Sequence, residues 1–172
     1  MLYPESVVDG IVHRLGGWRL EAECRLRETM AKNGQACPIG QAVLTSSGSG
    51  GLQNEYEAVI HTTPPFYSQA ETDGDAPGQD YDPELGLSEC YLNALTTATT
   101  RTTHSRLASP LIGAGARGFP ENVAAKVAVN ACQTWSQQRD DADELSVVFG
   151  VVEDTVADQL ISVLEATQTE GA

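Results

Sequence analysis

The chain has 172 residues, of which 41% are hydrophobic and 20% charged, so size and composition predict one globular domain with a sizeable core. Twenty-four acidic against ten basic side chains give a formal net charge of −14, which argues against nucleic acid as a partner because phosphate backbones are bound through Lys and Arg. No apolar run approaches the roughly 18 residues of a membrane span, and the N-terminus lacks the features of a signal peptide. We therefore expect a monomer in the cytoplasm or nucleus, without a membrane partner.

The apolar pattern predicts helices alternating with short strands. In chain order these are a helix over residues 7–15 ending at Gly16-Gly17, a helix over 20–30, strands over 41–48 and 56–63, a helix over 84–98, a strand over 105–112, a helix opened by Pro120, a buried strand over 145–152 and a helix capped by Asp154. Such alternation indicates an α/β layer fold. We assign residues 1–167 to one domain, with an acidic surface loop at 68–83 and a frayed tail at 168–172.

The four cysteines stand far apart in the sequence, with no C-x-x-C pair among them. This spacing favours free, mostly buried thiols over a zinc site or a disulfide framework. We therefore predict no metal. His61, Trp18 and Trp135 are interpreted as structural residues, the two tryptophans as packing residues.

The segment "PLIGAGARGFP" (110–120) joins a predicted strand to a predicted helix through a loop of small residues. A glycine-rich loop in this place presents backbone N–H groups to a phosphate. The candidate residues are Gly113, Ala114, Gly115, Ala116, Arg117, Gly118 and Phe119. The loop matches neither the P-loop pattern nor G-x-G-x-x-G, so a phosphate site and a plain tight turn both remain open at this point.

Asp9 and His13 are four residues apart in "VVDGIVHR" and therefore share one face of a helix. A carboxylate beside an imidazole can orient a water molecule or a ribose hydroxyl. The alternative is a surface ion pair without a catalytic role.

A wider pattern supports the first interpretation of both motifs. The segments "VVDGIVHRLGG", "LEAEC", "CPIGQAVLT", "AVIHTTPPFY", "LSECYLNAL", "SPLIGAGARGFP" and "ENVAAKVAV" follow one another at suitable separations. Together they resemble the macro domain, specifically the branch that removes ADP-ribose from proteins or deacetylates O-acetyl-ADP-ribose. The resemblance implies a three-layer α/β/α sandwich with a mixed sheet, a site for ADP-ribose or an ADP-ribosylated protein, and no cofactor.

The resemblance also assigns roles to individual residues. The loop at 113–119 would cradle the diphosphate, with Arg117 either bonding to phosphate or pointing into solvent. Asp9 would lie near the distal ribose and activate water, with His13 beside it. Val152, at the end of the last strand, would lie against the adenine.

The sequence departs from the family pattern before Asp9. Glu5, Ser6 and Val7 stand where members carry a glycine run that forms the other phosphate loop, and Glu5 adds negative charge there. The Asn-Ala-Asn motif and the first strands of the family sheet do not precede this segment. Two main interpretations follow: an ADP-ribose-directed hydrolase, in a chain that is truncated at its N-terminus, or a degenerate, inactive reader or interaction module. A binding surface on the acidic loop is a remote third.

Overall fold

The computed structural model describes residues 8–31, 35–68, 82–103, 105–139 and 145–170. Its elements are α1 (Val8–Met30), β1 (Ala42–Ser46), a short 3₁₀ helix (Gly51–Asn54), β2 (Ala58–Thr62), α2 (Pro83–Arg101), β3 (Arg106–Pro110), α3 (Glu121–Gln137), β4 (Ser146–Gly150) and α4 (Asp154–Glu170). Each predicted element is present, the strands being shorter than predicted. None of the helices described is long and apolar enough to cross a membrane.

Two segments singled out in the sequence lie largely or wholly outside the described residues. Of the predicted acidic loop at 68–83, residues 69–81 lie outside the described residues. At the end of this loop, the Asp82 side chain caps α2 by accepting from the amides of Glu84 and Leu85. Glu5, Ser6 and Val7, the residues in place of the family's glycine run, are also outside. The predicted frayed tail is in part helical backbone, because α4 continues to Glu170.

The strands of the described residues form two separate sheets of two strands each. β1 and β2 are antiparallel, with Ala42 opposite Thr62, whereas β3 and β4 are parallel, with Arg106 opposite Ser146. Both strand directions of the expected mixed sheet are therefore present. The antiparallel pair and the parallel pair are separate sheets, because no described strand is hydrogen-bonded to strands of both pairs.

The core lies among the helices and is centred on α3. Its main cluster consists of Leu87, Tyr91, Phe119, Ala124, Val127, Ala128 and Ala131. A second cluster joins Ala125 and Val129 of α3 to Leu160 of α4. Alanines along α3 allow α2 and α4 to pack closely on its two sides, and this packing holds the start of α3 in place beside the loop that precedes it.

β4 was predicted to be a buried strand, and this is wrong for one of its faces. Residues along β3 and β4 alternate between half-buried and exposed, and Val148 is 44% exposed. Period-two alternation means that only one face of this sheet is covered. The packing role predicted for Trp18 is also wrong, since 75% of this residue is exposed.

α1 is interrupted at Gly17, as the Gly-Gly pair predicted. Gly17 has φ 70° and ψ −168°, a backbone conformation open only to glycine. The turn before the 3₁₀ helix fits against this point, because the amides of Ser49 and Gly50 donate to the Gly16 carbonyl at 2.8 and 3.1 Å. A Cβ on Gly48 would overlap that same carbonyl. The glycines of the two segments therefore make a close backbone contact that fixes the break in α1.

Candidate functional site

The loop at 113–119, called the glycine loop below, connects β3 to α3 and is held by its own backbone. The Phe119 amide donates to the Gly113 carbonyl at 3.1 Å, and the Gly118 amide donates to the Gly115 carbonyl at 3.0 Å. At the start of the loop, the Ile112 amide donates to the Tyr91 hydroxyl of α2 at 2.8 Å. These bonds give the loop a defined shape and anchor it to the core.

The glycines of the loop serve different purposes. Gly113 has φ 89° and Gly118 has φ 73°, so both positions require glycine for conformational reasons. Gly115 has no positive φ, and a Cβ placed there would meet nothing within 4 Å. The fold therefore does not explain the absence of a side chain at residue 115.

Several backbone donors of the loop take no part in its internal hydrogen bonds. Among the described residues, the amides of Gly115, Ala116 and Arg117 have no hydrogen-bond acceptor. Gly115 and Ala116 are exposed. The loop leads into α3, whose N-cap residue Pro120 provides no side-chain cap, so the first-turn amides of this helix add to the local donors. Such a set of N–H groups can bind an anion.

Arg117 packs on an aromatic side chain instead of extending into solvent, and its bond to a phosphate stays a prediction. Its guanidinium lies 4.4 Å from the centre of the Phe66 ring, a cation–π contact, and its carbonyl accepts from the Tyr67 amide at 2.9 Å. The Tyr67 and Phe119 rings are 5.0 Å apart. The segment after β2 therefore packs against the glycine loop through Phe66 and Tyr67.

The remaining predicted ligand contacts are placed as follows. Phe119 is only 3% exposed and belongs to the core, so its side chain serves packing. Val152, after the end of β4, is 97% exposed and available to a flat ligand such as adenine. The ligand-binding role of these residues, and of the glycine loop, stays a prediction.

Asp9 and His13 are brought together on the first half of α1, as their spacing predicted. The His13 Nε2 atom is 3.7 Å from the Asp9 Oδ1 atom, and their side chains are 30% and 49% exposed. The carboxylate is therefore open to a water molecule or a ligand hydroxyl, while the imidazole is more enclosed. Their catalytic role stays a prediction.

Sequence reasoning missed a group of side chains behind His13. His61 of β2 has its Nε2 atom 2.9 Å from the Thr45 Oγ1 atom and 3.9 Å from the Cys24 Sγ atom. The ring centroids of His13 and His61 are 6.1 Å apart. We refer to His13, Cys24 and His61 as the His–Cys cluster.

Burial shifts the pKa of two members of this cluster, His61 and Cys24. Loss of hydration, aided by the neighbouring His13, lowers the pKa of His61 to about 4, so its imidazole is neutral at neutral pH. Burial, with a smaller contribution from the Asp9 carboxylate, raises the pKa of the Cys24 thiol. The spacing of the three residues in the sequence carries no known ligand pattern. The one signal was the Gly16-Gly17 break, which turns the second half of α1 so that Cys24 approaches His13.

Comparison with known proteins identifies the family of this chain. The family model of the macro domain matches residues 1–128. A macro domain-containing protein of Listeria monocytogenes is 34% identical over 142 residues, which are 83% of this chain and 71% of the relative. An O-acetyl-ADP-ribose deacetylase of Citrobacter rodentium is 30% identical over 141 residues, 82% of this chain and 70% of the relative. The chain therefore belongs to the macro domain family.

Solved structures agree with this assignment at the level of the fold. The Oceanobacillus iheyensis macrodomain with ADP superposes with a TM-score of 0.78 at 24% identity, covering 98% of this chain and 80% of that one. A variant of the same macrodomain with ADPR gives 0.78 at 24% identity, covering 98% and 81%. The predicted family and its α/β fold are thus confirmed.

Proposed function

We propose that this chain binds ADP-ribose through the glycine loop and hydrolyses an ester or glycosidic bond at the distal ribose, with Asp9 positioning the water. The class of substrate comes from the family, whose relatives include proteins named O-acetyl-ADP-ribose deacetylase. The observation that carries the proposal is the tip of the glycine loop. There, amides without an acceptor among the described residues surround Gly115, a position at which the fold does not require glycine.

The charge balance explains why backbone groups would have to do the binding. With a net charge of −14, the protein repels a diphosphate at long range. Local N–H dipoles from the loop and from the first turn of α3 supply attraction without a positive side chain. Arg117 adds its charge from nearby while it remains stacked on Phe66.

Asp9 offers the chemistry that hydrolysis needs. Its carboxylate is half exposed and can accept a proton from water. In deacetylation, the water oxygen adds to the acetyl carbon and the bond between that carbon and the ribose oxygen breaks. Acetate and ADP-ribose are released, and the proton from water is transferred through Asp9 to the leaving oxygen.

A non-catalytic ADP-ribose reader is the second candidate. It is favoured by Glu5, Ser6 and Val7, which replace the glycine run expected before Asp9. Side chains at these positions restrict the backbone, and Glu5 adds a negative charge. A reader would bind ADP-ribose without turnover, so binding and hydrolysis must be measured separately.

The binding test compares Gly115→Val with Gly51→Val. Both glycines have open space where a Cβ would lie and neither has a positive φ, so both variants should fold. We expect Gly115→Val to lose at least about tenfold in affinity for ADP-ribose, equivalent to about 1.4 kcal/mol, whereas Gly51→Val keeps the wild-type Kd. Equal affinity in all three proteins would remove the glycine loop from the binding site.

The turnover test uses Asp9→Ala with O-acetyl-ADP-ribose as substrate. Alanine suits an exposed helical position, so the variant should fold and bind. We expect its kcat to fall by about 10²-fold or more, with the Kd for ADP-ribose little changed. A wild-type chain that binds but shows no turnover would support the reader, and an unchanged rate in Asp9→Ala would exclude Asp9 from the mechanism.

A further inference from the structure

The three members of the His–Cys cluster come from three places in the chain. His13 lies in the first half of α1, Cys24 in the second half, and His61 on β2. In an unbroken helix, eleven residues would separate His13 from Cys24 by about 16 Å along the axis. The break at Gly17 removes this separation, so that one potential ligand atom from each side chain lies within 4.8 Å of the other two.

We propose that His13, Cys24 and His61 bind a Zn²⁺ ion, with water in the fourth position. Imidazole nitrogen and thiolate sulfur are the donors that Zn²⁺ prefers, and three protein ligands with one open position are typical of zinc sites that also hold water. All three side chains are half-buried, so the ion would be partly enclosed.

The geometry is close to what zinc requires. With Zn–N of about 2.0 Å and Zn–S of about 2.3 Å, the ligand atoms of a tetrahedral site lie about 3.3–3.6 Å apart. The Cys24 Sγ atom is already 3.9 Å from the His61 Nε2 atom. Contraction of the cluster by about 1 Å, within reach of side-chain rotation, completes the site.

Neighbouring groups suit the proposed ligands. The Asp9 Oδ1 atom lies 3.7 Å from the His13 Nε2 atom, so with the ion on His13 Nδ1, side-chain rotation can bring this carboxylate within hydrogen-bond distance of the other ring nitrogen, an arrangement common behind zinc-bound imidazoles. Thr45 contacts His61 Nε2 now, but its hydroxyl also lies 3.5 Å from the Val59 carbonyl and can donate there when the nitrogen binds the ion. The site therefore forms without leaving a buried hydroxyl unpaired.

Zinc binding has two physical consequences. Cys24 must give up its thiol proton, which passes to the buffer, and the ion replaces it on sulfur without any redox change. The ion also links both halves of α1 to β2. Because the unfolded chain lacks this arrangement, Zn²⁺ should raise the thermal midpoint.

The first test is titration of the EDTA-treated, dialysed protein with Co²⁺, a spectroscopic substitute for Zn²⁺, in the absence of any nucleotide. We expect one equivalent to produce the visible absorption of four-coordinate cobalt and a near-ultraviolet thiolate-to-cobalt band, both abolished by added Zn²⁺. Cys24→Ser should lose the thiolate band, whereas the matched control Cys132→Ser, altered on α3, should keep it. Absence of the band in the wild type, or its persistence in Cys24→Ser, would overturn the proposal.

A second test needs no variant and so does not depend on one that folds. Iodoacetamide labelling of the wild type, read out by mass spectrometry, measures each thiol separately. With Zn²⁺ at about ten times its Kd, alkylation of Cys24 should slow about tenfold, because only the metal-free fraction reacts. Alkylation of Cys132 should be unchanged. Equal Cys24 rates with and without Zn²⁺ would contradict the site, whatever the outcome of the ADP-ribose experiments.

Discussion

His61 was interpreted as a structural residue, and the structure shows the neighbours that enclose it. It lies on β2 against Thr45 and Cys24, and burial lowers its pKa to about 4 from an ordinary value of 6.5. The unfolded chain therefore binds a proton on this side chain over a pH range in which the folded protein does not. The contribution of His61 to folding stability therefore falls as the pH is lowered through that range.

We predict that His61 removes about 3 kcal/mol of stability as the pH falls from about 6.5 to about 4. The charged neighbours His13, Asp9, Arg27 and Glu23 contribute in both directions. Comparison with His61→Gln, which cannot titrate, isolates the histidine. Urea unfolding at a series of pH values, with EDTA present, should give a flatter profile for the variant. Parallel profiles would mean that His61 titrates normally in the folded protein.

At the scale of elements, the break in α1 depends on Gly17. We predict that Gly17→Ala destabilises the protein by about 1–3 kcal/mol, because a Cβ makes its backbone conformation strained, although it would meet Gly50 and Ser49 only at ordinary van der Waals distance. Gly51→Ala, where φ is not positive, should have little effect. Denaturant unfolding of both variants measures the difference. A Gly17→Ala chain as stable as the wild type would show that the break is not held by this glycine.

The sequence was informative wherever local chemistry decides the structure. The Gly16-Gly17 pair predicted the interruption of α1, the apolar runs predicted all four strands, and the i, i+4 spacing predicted that Asp9 and His13 meet. These features depend on a few neighbouring residues. Family resemblance added the overall fold.

Packing between residues distant in the sequence could not be predicted from these local patterns. The spacing of Cys24 and His61 contains no sign that the broken helix packs on β2 and brings them to 3.9 Å. The separation of the four strands into two sheets depends on hydrogen bonds between strands that are distant in the sequence. Arg117 was expected either to bond to a phosphate or to point into solvent. The stacking of its guanidinium on Phe66 could not be predicted, because it depends on the path of the segment after β2.

At the scale of the whole molecule, net charge should control the rate of ligand encounter. A protein of charge −14 repels the ADP-ribose diphosphate, and salt screens that repulsion over a Debye length of about 10 Å at 0.1 M. We therefore predict that the association rate constant rises between about 0.02 M and 0.3 M salt. Stopped-flow mixing with a fluorescent analogue of ADP-ribose measures it. A rate that falls with salt would mean that a local positive field near the loop outweighs the total charge.

The central claim is that this macro domain retains an ADP-ribose site built from backbone amides of the glycine loop. Calorimetric titration of the wild-type chain with ADP-ribose, in EDTA and after a cooperative thermal transition has been recorded, tests it most directly. We predict binding with one site and a Kd in the micromolar range, or about −8 kcal/mol. Absence of binding heat at several temperatures, in a protein that unfolds cooperatively, would contradict the claim.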